Sequence, residues 1–297
     1  MRYLNNYLRI SLILFVVFAS SLEAKAQLTD LARIEYTYFP QASSENSFKR
    51  FKTLLNFPWK VGKDKYIVTG VEYSNVNMEL KDGYPFVASD FERLQSFKFT
   101  LGYTFRFSER WRFGAVVNPQ LASNFEDGII GDDFLLNAAI YFIRERRNKA
   151  KDSREGRLIL GIQYNTVSGI PLPLPYVNYH KEINDTWAYT LGVPKTNLKY
   201  KINNSNVLQA FVTLDGFYSN IQKEVAIENN IAESISMTTI LSGIGYEHFF
   251  NEHILFYFYS GYTLMNNIRL RDADLDDVYT INDTNTLYIR GGIKFKI

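Results

Sequence analysis

In the stretch FKFTLGYTFRF, Phe97, Phe99, Leu101, Tyr103, Phe105 and Phe107 alternate with Lys98, Thr100, Gly102, Thr104 and Arg106. Residues two apart share a face of a strand, so the spacing predicts a β-strand with one apolar and one polar side. LYIRGGIKFKI repeats the pattern: Leu287, Ile289, Gly291, Ile293, Phe295 and Ile297 oppose Tyr288, Arg290, Gly292, Lys294 and Lys296. Comparable segments recur at about 31–39, 48–59, 65–79, 111–125, 133–146, 157–167, 206–220, 234–248 and 254–265, with shorter ones near 173–181, 186–193 and 196–202. Taking 157–167 with 173–181 and 186–193 with 196–202 as up-down pairs gives fourteen strands. Merging each pair gives twelve, and both counts are even.

The same alternation would serve a soluble sandwich with its apolar side turned inward. Three features favour a membrane. The longer segments run about ten residues or more, as a tilted membrane strand requires, whereas sandwich strands are typically about five or six. Connections alternate in length: Ser108–Arg110, Glu182–Asp185, Asn203–Ser205 and Phe249–His253 are short, while 80–93, 221–233 and 267–285 are read as long loops. Short turns at one end and long loops at the other are the habit of outer-membrane barrels. The polar faces carry Lys and Arg in mid-strand, which a dry core rejects and a wet barrel interior accepts. Segment ends hold Trp111, Tyr141, Trp187 and the run Phe256 to Tyr259, suited to aromatic belts at both interfaces. The fold read from the pattern is all-β, a transmembrane antiparallel up-and-down barrel of 12 to 14 strands.

Ahead of the barrel, Arg2 and Arg9 precede an apolar run from Ile10 to Val17 and a small-residue site at Ala24-Lys25-Ala26. This order predicts a secretory signal over 1–26 and a barrel domain over 27–297. After residue 27 no apolar run approaches the length of a membrane helix. There is no cysteine, so neither a disulfide framework nor a lipoprotein anchor is available. The chain has 33 basic and 31 acidic residues, and removing Arg2, Arg9, Lys25 and Glu23 with the leader leaves 30 of each. That balance argues against nucleic acid as a partner.

LNFPWKV, LPLPYVNYHKEINDTW, LGVPKTNLKY and the terminal GGIKFKI resemble an uncharacterised family of outer-membrane β-barrels from Bacteroidota, over nearly the whole mature length. The resemblance implies the fold and a place in the bacterial outer membrane; it brings no assigned activity and no catalytic residues. The terminal strand is also similar to the signature of bacterial outer-membrane barrels, with Ile297 where phenylalanine is more usual. The partners implied are outer-membrane lipid and glycolipid, and the barrel assembly machinery during biogenesis. The chain is read as a monomer.

SGIPLPLPYVNYH sets Pro171, Pro173 and Pro175 at alternate positions of a strand-like stretch. Alternate residues bond to the same neighbouring strand, so all three prolines remove donors from one seam. An unpaired seam in hydrocarbon is costly. The prolines either lie above the bilayer, at the rim or in a short loop, or mark a lateral parting through which an apolar molecule leaves the barrel.

Lys98, Arg106, Arg112, Arg290, Lys294 and Lys296 fall on expected lumen faces, with Glu35, Glu72 and Asp215 as acidic counterparts. They would form either a charge network that fills the bore or an anion-selective constriction. Asp272, Asp274, Asp276 and Asp283 have part of a calcium-loop spacing, but Asp277 replaces the turn glycine, and a solvated acidic loop is the simpler reading. His248 and His253, beside Glu247 and Glu252, are placed in a short turn with too few ligands for zinc, and His180 at the interface. No motif joins a serine to a histidine, no cofactor is implied, and no enzyme is expected. The leading function is a passive pore or transporter for small molecules, hydrophobic ones included. The alternatives are a closed structural or adhesion barrel displaying its outer loops and, third, a lipid-modifying enzyme.

Overall fold

The computed structural model of the protein describes residues 30–40, 46–81, 83–146, 156–166, 169 and 171–296; the leader expected over 1–26 and Ile297 lie outside them. The strands are β1 Asp30–Pro40, β2 Ser47–Gly62, β3 Lys65–Glu79, β4 Arg93–Arg106, β5 Trp111–Ser123, β6 Phe134–Arg146, β7 Gly156–Asn165 and β8 Leu172–Glu182. They continue with β9 Trp187–Val193, β10 Lys195–Lys201, β11 Asn206–Ile227, β12 Asn230–Phe249, β13 Ile254–Arg271, β14 Asp277–Asn282 and β15 Leu287–Lys296. Consecutive strands from β1 to β13 pair antiparallel, β13 pairs with β15, and β15 returns to β1. The sheet closes, and no wall strand is left as an edge along its full length.

β13 bonds to β15 as far as Tyr262 and to β14 from Ile268 onward, so β14 and β15 are one wall position in two pieces. The barrel therefore has fourteen strand positions. The smaller count of twelve fails because 156–165 and 172–182, and likewise 187–193 and 195–201, turn back on each other.

The apolar set points outward. Ile34 is 57% exposed, Leu101 50% and Ile244 72%, while their chain neighbours Glu35, Gly102 and Gly245 are buried on the inner side. A closed sheet satisfies its backbone internally, which leaves the outer face free to meet hydrocarbon. Below, the end that holds the short turns is called the near end, and the opposite one the far end.

At the far end the two stretches read as long loops, 221–233 and 267–285, are largely strand: β11 and β12 run on to a tight turn at 228–229, and β13 continues to Arg271 before β14. In β13 the register skips Leu264, and this bulge swaps the faces so that Ile268 and Leu270 point inward. Periodicity across a one-residue skip reads as broken, which is why the continuation looked like loop.

The far half of the bore is filled like a soluble core. Phe39, Phe48, Met78, Phe91, Ile221, Ile235, Met237, Leu270 and Tyr288 are buried together, with Tyr84, Phe86 and Tyr279 packed against them. Phe39 of β1 lies 5.2 Å from Tyr288 of β15, ring centre to ring centre. The β11–β12 hairpin leans over the mouth to reach β5, where Asn220 bridges to Ser123. It is latched there by polar contacts. Asp133 accepts hydrogen bonds from Asn220 Nδ2 (2.9 Å) and Gln222 Nε2 (2.8 Å), and Asn124 Oδ1 accepts from the Gln222 amide (3.1 Å). Lys223 pairs with Glu126 at 2.6 Å, and that contact holds its ammonium above the usual lysine range.

Asp133 is fully buried and also accepts from the Ile130 amide. Replacing it with Ala strands the buried Asn220 amide, at about 1–3 kcal/mol once left unpaired, and takes one bond each from Gln222 and the Ile130 amide. Asp133→Ala is expected to free the hairpin, read as new protease cleavage within 221–233 of the folded barrel. Cleavage no faster than in wild type would mean that the apolar contacts alone hold the lid.

Candidate functional site

The nine charged residues expected in the lumen all stand on inward faces. Asp215 of β11 receives Arg50 of β2 in a two-pronged contact, 3.1 Å from Nη1 and 2.7 Å from Nη2, and Arg290 of β15 also bonds it. Glu35 accepts from Tyr257 Oη at 2.7 Å and lies 3.6 Å from Arg290. Glu72 takes Lys98 at 2.7 Å and Lys52 at 3.7 Å. Arg106 lies 3.9 Å from Asp64, Arg112 donates to the Asp64 carbonyl, and Lys294 pairs with Asp30 at 3.2 Å. Lys296 stands over the Phe249 ring.

β2 and β11 are five interstrand steps apart on the wall, so Arg50 and Asp215 meet across the bore and not along the sheet. Arg50 is 3% exposed and Glu35 5%. Along this chord the bore is closed by paired charge, with the apolar cap above it. Inward Gly292 makes the packing possible, because a Cβ there would crowd the Tyr257 ring that reaches Glu35.

Arg50, Lys52, Tyr257, Glu247 and Lys195 belong to the same interior. His248, expected in a short turn, lies in β12 together with Glu247, which accepts from Lys199 (2.7 Å), Gln209 (2.9 Å) and Tyr259 Oη (2.8 Å). His248 itself points the other way, toward Tyr246, Asn206 and Phe250. Strand alternation separates the two, and His253 lies in the turn, as expected, against the Lys296 carbonyl. His180 is on an inward face of β8, bonded to Thr190, and not at the interface. Asp272 caps its own turn by accepting the amides of Asp274 and Asp276, whereas Asp283 follows the last residue of β14, on the side of the near end; Asp277 is engaged by Arg269 and Arg271. Among the described residues no group of three or more acidic, histidine or cysteine side chains is arranged to hold a metal ion.

Among the described residues, the prolines mark a gap in the pairing of the wall. β9 and β10 are seven residues each. At about 3.3 Å per residue and a tilt near 40°, they rise only about 18 Å, short of an apolar band about 25 Å tall. Pairing of β8 with β9 ends at Val177↔Val193, and pairing of β10 with β11 ends at Lys195↔Thr213. β8 nevertheless continues to Leu172 and β11 to Ile227. At the level of the hairpin tip these two strands stand three spacings apart, about 14 Å.

Ile183 donates to Trp187 on the β9 side, so odd-numbered residues of β8 bond toward β9 and even-numbered ones toward β7. Pro173 and Pro175 therefore present donor-free backbone to the gap, and Pro171 continues the same parity. The β7 ladder is unharmed: it runs unbroken through Ile162↔Pro175 and Tyr164↔Pro173 to Asn165↔Leu172. The tip itself is satisfied locally, since Thr196 Oγ1 bonds both the amide and the carbonyl of Gly192 and the Leu214 amide donates to the Pro194 carbonyl (2.8 Å). Gly192, at φ +153°, lies so close to β8 that a Cβ would overlap the Val177 oxygen. Above the gap Gly169, between β7 and β8, lies against Met237 and Thr238 of β12. Ile162, Val177, Leu191 and Val193, all exposed on the outer face, line the β7–β9 side of the gap. The window lies at the depth of the apolar band.

The family described as Domain of unknown function (DUF6268) matches residues 22–296. No curated protein sequence matches. Among solved structures, the NanC porin is 11% identical at a TM-score of 0.40, covering 90% of this chain and 100% of its own. Outer membrane phospholipase A from Escherichia coli is 12% identical at 0.38, covering 92% and 93%, and LpxR from Salmonella typhimurium is 7% identical at 0.36, covering 90% and 100%. These include a porin and a phospholipase, and superpositions this loose select neither activity.

Proposed function

Because the chain belongs to the family described as Domain of unknown function (DUF6268), whose description assigns no activity, we propose a function from the geometry alone: an outer-membrane barrel that passes small apolar or amphiphilic molecules sideways between its interior and the bilayer. The observation that carries this reading is the window over the β9–β10 hairpin, bordered by the proline edge of β8 and by β11. Paired charges across the bore and the apolar cap count against a straight, water-filled channel for ions. The protein acts as a monomer in this reading and performs no chemistry on its cargo.

A second reading, a closed barrel that displays its far end to surface glycolipid or protein, draws support from the same cap and latched hairpin. Lengthening the β9–β10 hairpin separates the two. Inserting Thr-Val-Thr on each side of Pro194 supplies a strand pair to fill the window while leaving the bore untouched. Uptake of a neutral hydrophobic dye by cells expressing this variant is expected to fall to the rate of cells lacking the protein. Uptake equal to wild type, or steady ion conductance of the wild-type protein in planar bilayers, would sink the sideways route.

A further inference from the structure

Resting on the sideways passage above, we propose that Lys195 is a head-group anchor at the sill of the window, and that the cargo is a single-chain anionic amphiphile with a carboxylate or phosphate monoester head. Lys195 directly follows the hairpin tip at Pro194 and shares the inward face of β10 with Asn197 and Lys199. Its Nζ stands 5.0 Å from the centre of the Phe211 ring and 4.9 Å from that of Tyr259. Those rings are buried, while the lysine keeps part of its surface open.

Among the described residues no carboxylate lies within ion-pair distance of Lys195. The adjacent acid, Glu247, is saturated by Lys199, Gln209 and Tyr259. Of the other interior cations, Arg50 and Arg290 are matched by Asp215, Lys98 by Glu72 and Lys294 by Asp30; Arg112 rests on the Asp64 carbonyl, and Lys296 stands over the Phe249 ring at the near end, away from the window. Aromatic faces hold an ammonium in place and leave its hydrogen-bonding capacity unspent. An ammonium away from bulk water with no anion at hand favours a ligand that brings one.

The rim selects the rest of the ligand. Leu191 and Val193 face outward below the window, and Pro173 and Pro175 present no amide hydrogens along its side. A polar head cannot cross this border cheaply, whereas a hydrocarbon tail can lie against it and continue into the bilayer. A head on Lys195 with the tail through the window uses both features. A cationic head would be repelled there, and an uncharged one would gain nothing from the lysine.

The test measures retention of labelled palmitate, hexadecyl phosphate, hexadecanol and hexadecylamine on the purified full-length barrel in zwitterionic nanodiscs, corrected for empty discs. Both anions should bind more tightly than hexadecanol, and hexadecylamine least. Lys195→Gln should weaken palmitate about tenfold or more, as loss of a charge-assisted contact implies, with hexadecanol unchanged. Lys195→Arg should retain palmitate, and heat-dependent gel mobility should show both variants folded. Wild-type protein that holds hexadecanol as tightly as palmitate, or Lys195→Gln protein that binds palmitate like wild type, overturns the anchor. If binding depends on Lys195 but the lengthened hairpin leaves dye uptake unchanged, the anchor stands and sideways passage falls; the reverse pattern removes the anchor alone.

Discussion

Replacing Asp215 with Ala is expected to lower the unfolding free energy of the barrel by about 3–5 kcal/mol, the usual cost of breaking a buried ion pair from one side. Asp215 is the only acid touching Arg50 among the described residues, and it also receives Arg290. Arg290 retains Glu35 after the substitution, but Arg50 keeps nothing that can replace a two-pronged carboxylate. The unpaired guanidinium then sits between an apolar cap and a wall facing lipid, where water solvates it poorly. Urea unfolding of vesicle-reconstituted protein, followed by tryptophan fluorescence, measures the loss. The double variant Arg50→Met, Asp215→Leu should recover most of it, because both charges leave together. A loss for Asp215→Ala within about 1 kcal/mol, as for a solvent-screened pair, would mean that water reaches the bore centre.

A comparable loss is expected from one arginine on the outer face. Leu101 is half exposed, lies mid-strand in β4 between Thr69 and Val117, and points away from the bore. Leu101→Arg should cost about 2–4 kcal/mol in vesicles, the range for arginine facing the middle of the hydrocarbon. The adjacent Thr100 faces inward toward the polar side of β3, opposite Gly70. Thr100→Arg should cost about 1 kcal/mol or less, since its head can reach the hydrated interior. Equal effects at the two neighbours, or a larger one at Thr100, would contradict the assignment of faces. The comparison isolates orientation, because the two sites share a strand and almost a depth.

The barrel was legible because its strands are long, amphipathic and joined by short turns at one end. Lys98 and Arg290 could be assigned to the interior from the residues on either side of them. What they touch could not. Asp215 finds Arg50 across a separation of 165 residues, and which side chains meet over a bore depends on the rotation and stagger of strands that local patterns do not encode. Lys195 escaped notice for a related reason: its meaning lies in the acid that it lacks.

Around Glu247 two signals in the sequence conflict. Tyr246 and His248 flank it, so the alternation of β12 ran straight through a segment whose histidines suggested a turn. With the prolines, parity fixed that all three weaken a single seam. Which seam, and at what depth, followed from the shortness of β9 and β10, visible in the sequence only as two brief apolar runs around Val193-Pro194.

The contact between Phe39 and Tyr288 ties the first wall strand to the last. A sheet rolled into a cylinder is most easily peeled where its two ends were joined. Here that join runs beneath a cluster of aromatic rings, so peeling it from above would first wet them. Under load, for instance when pulled by a probe tip, β1 and β15 should unzip from the side of Lys296 and Asp30, and the upper half of their join should be among the last contacts to part.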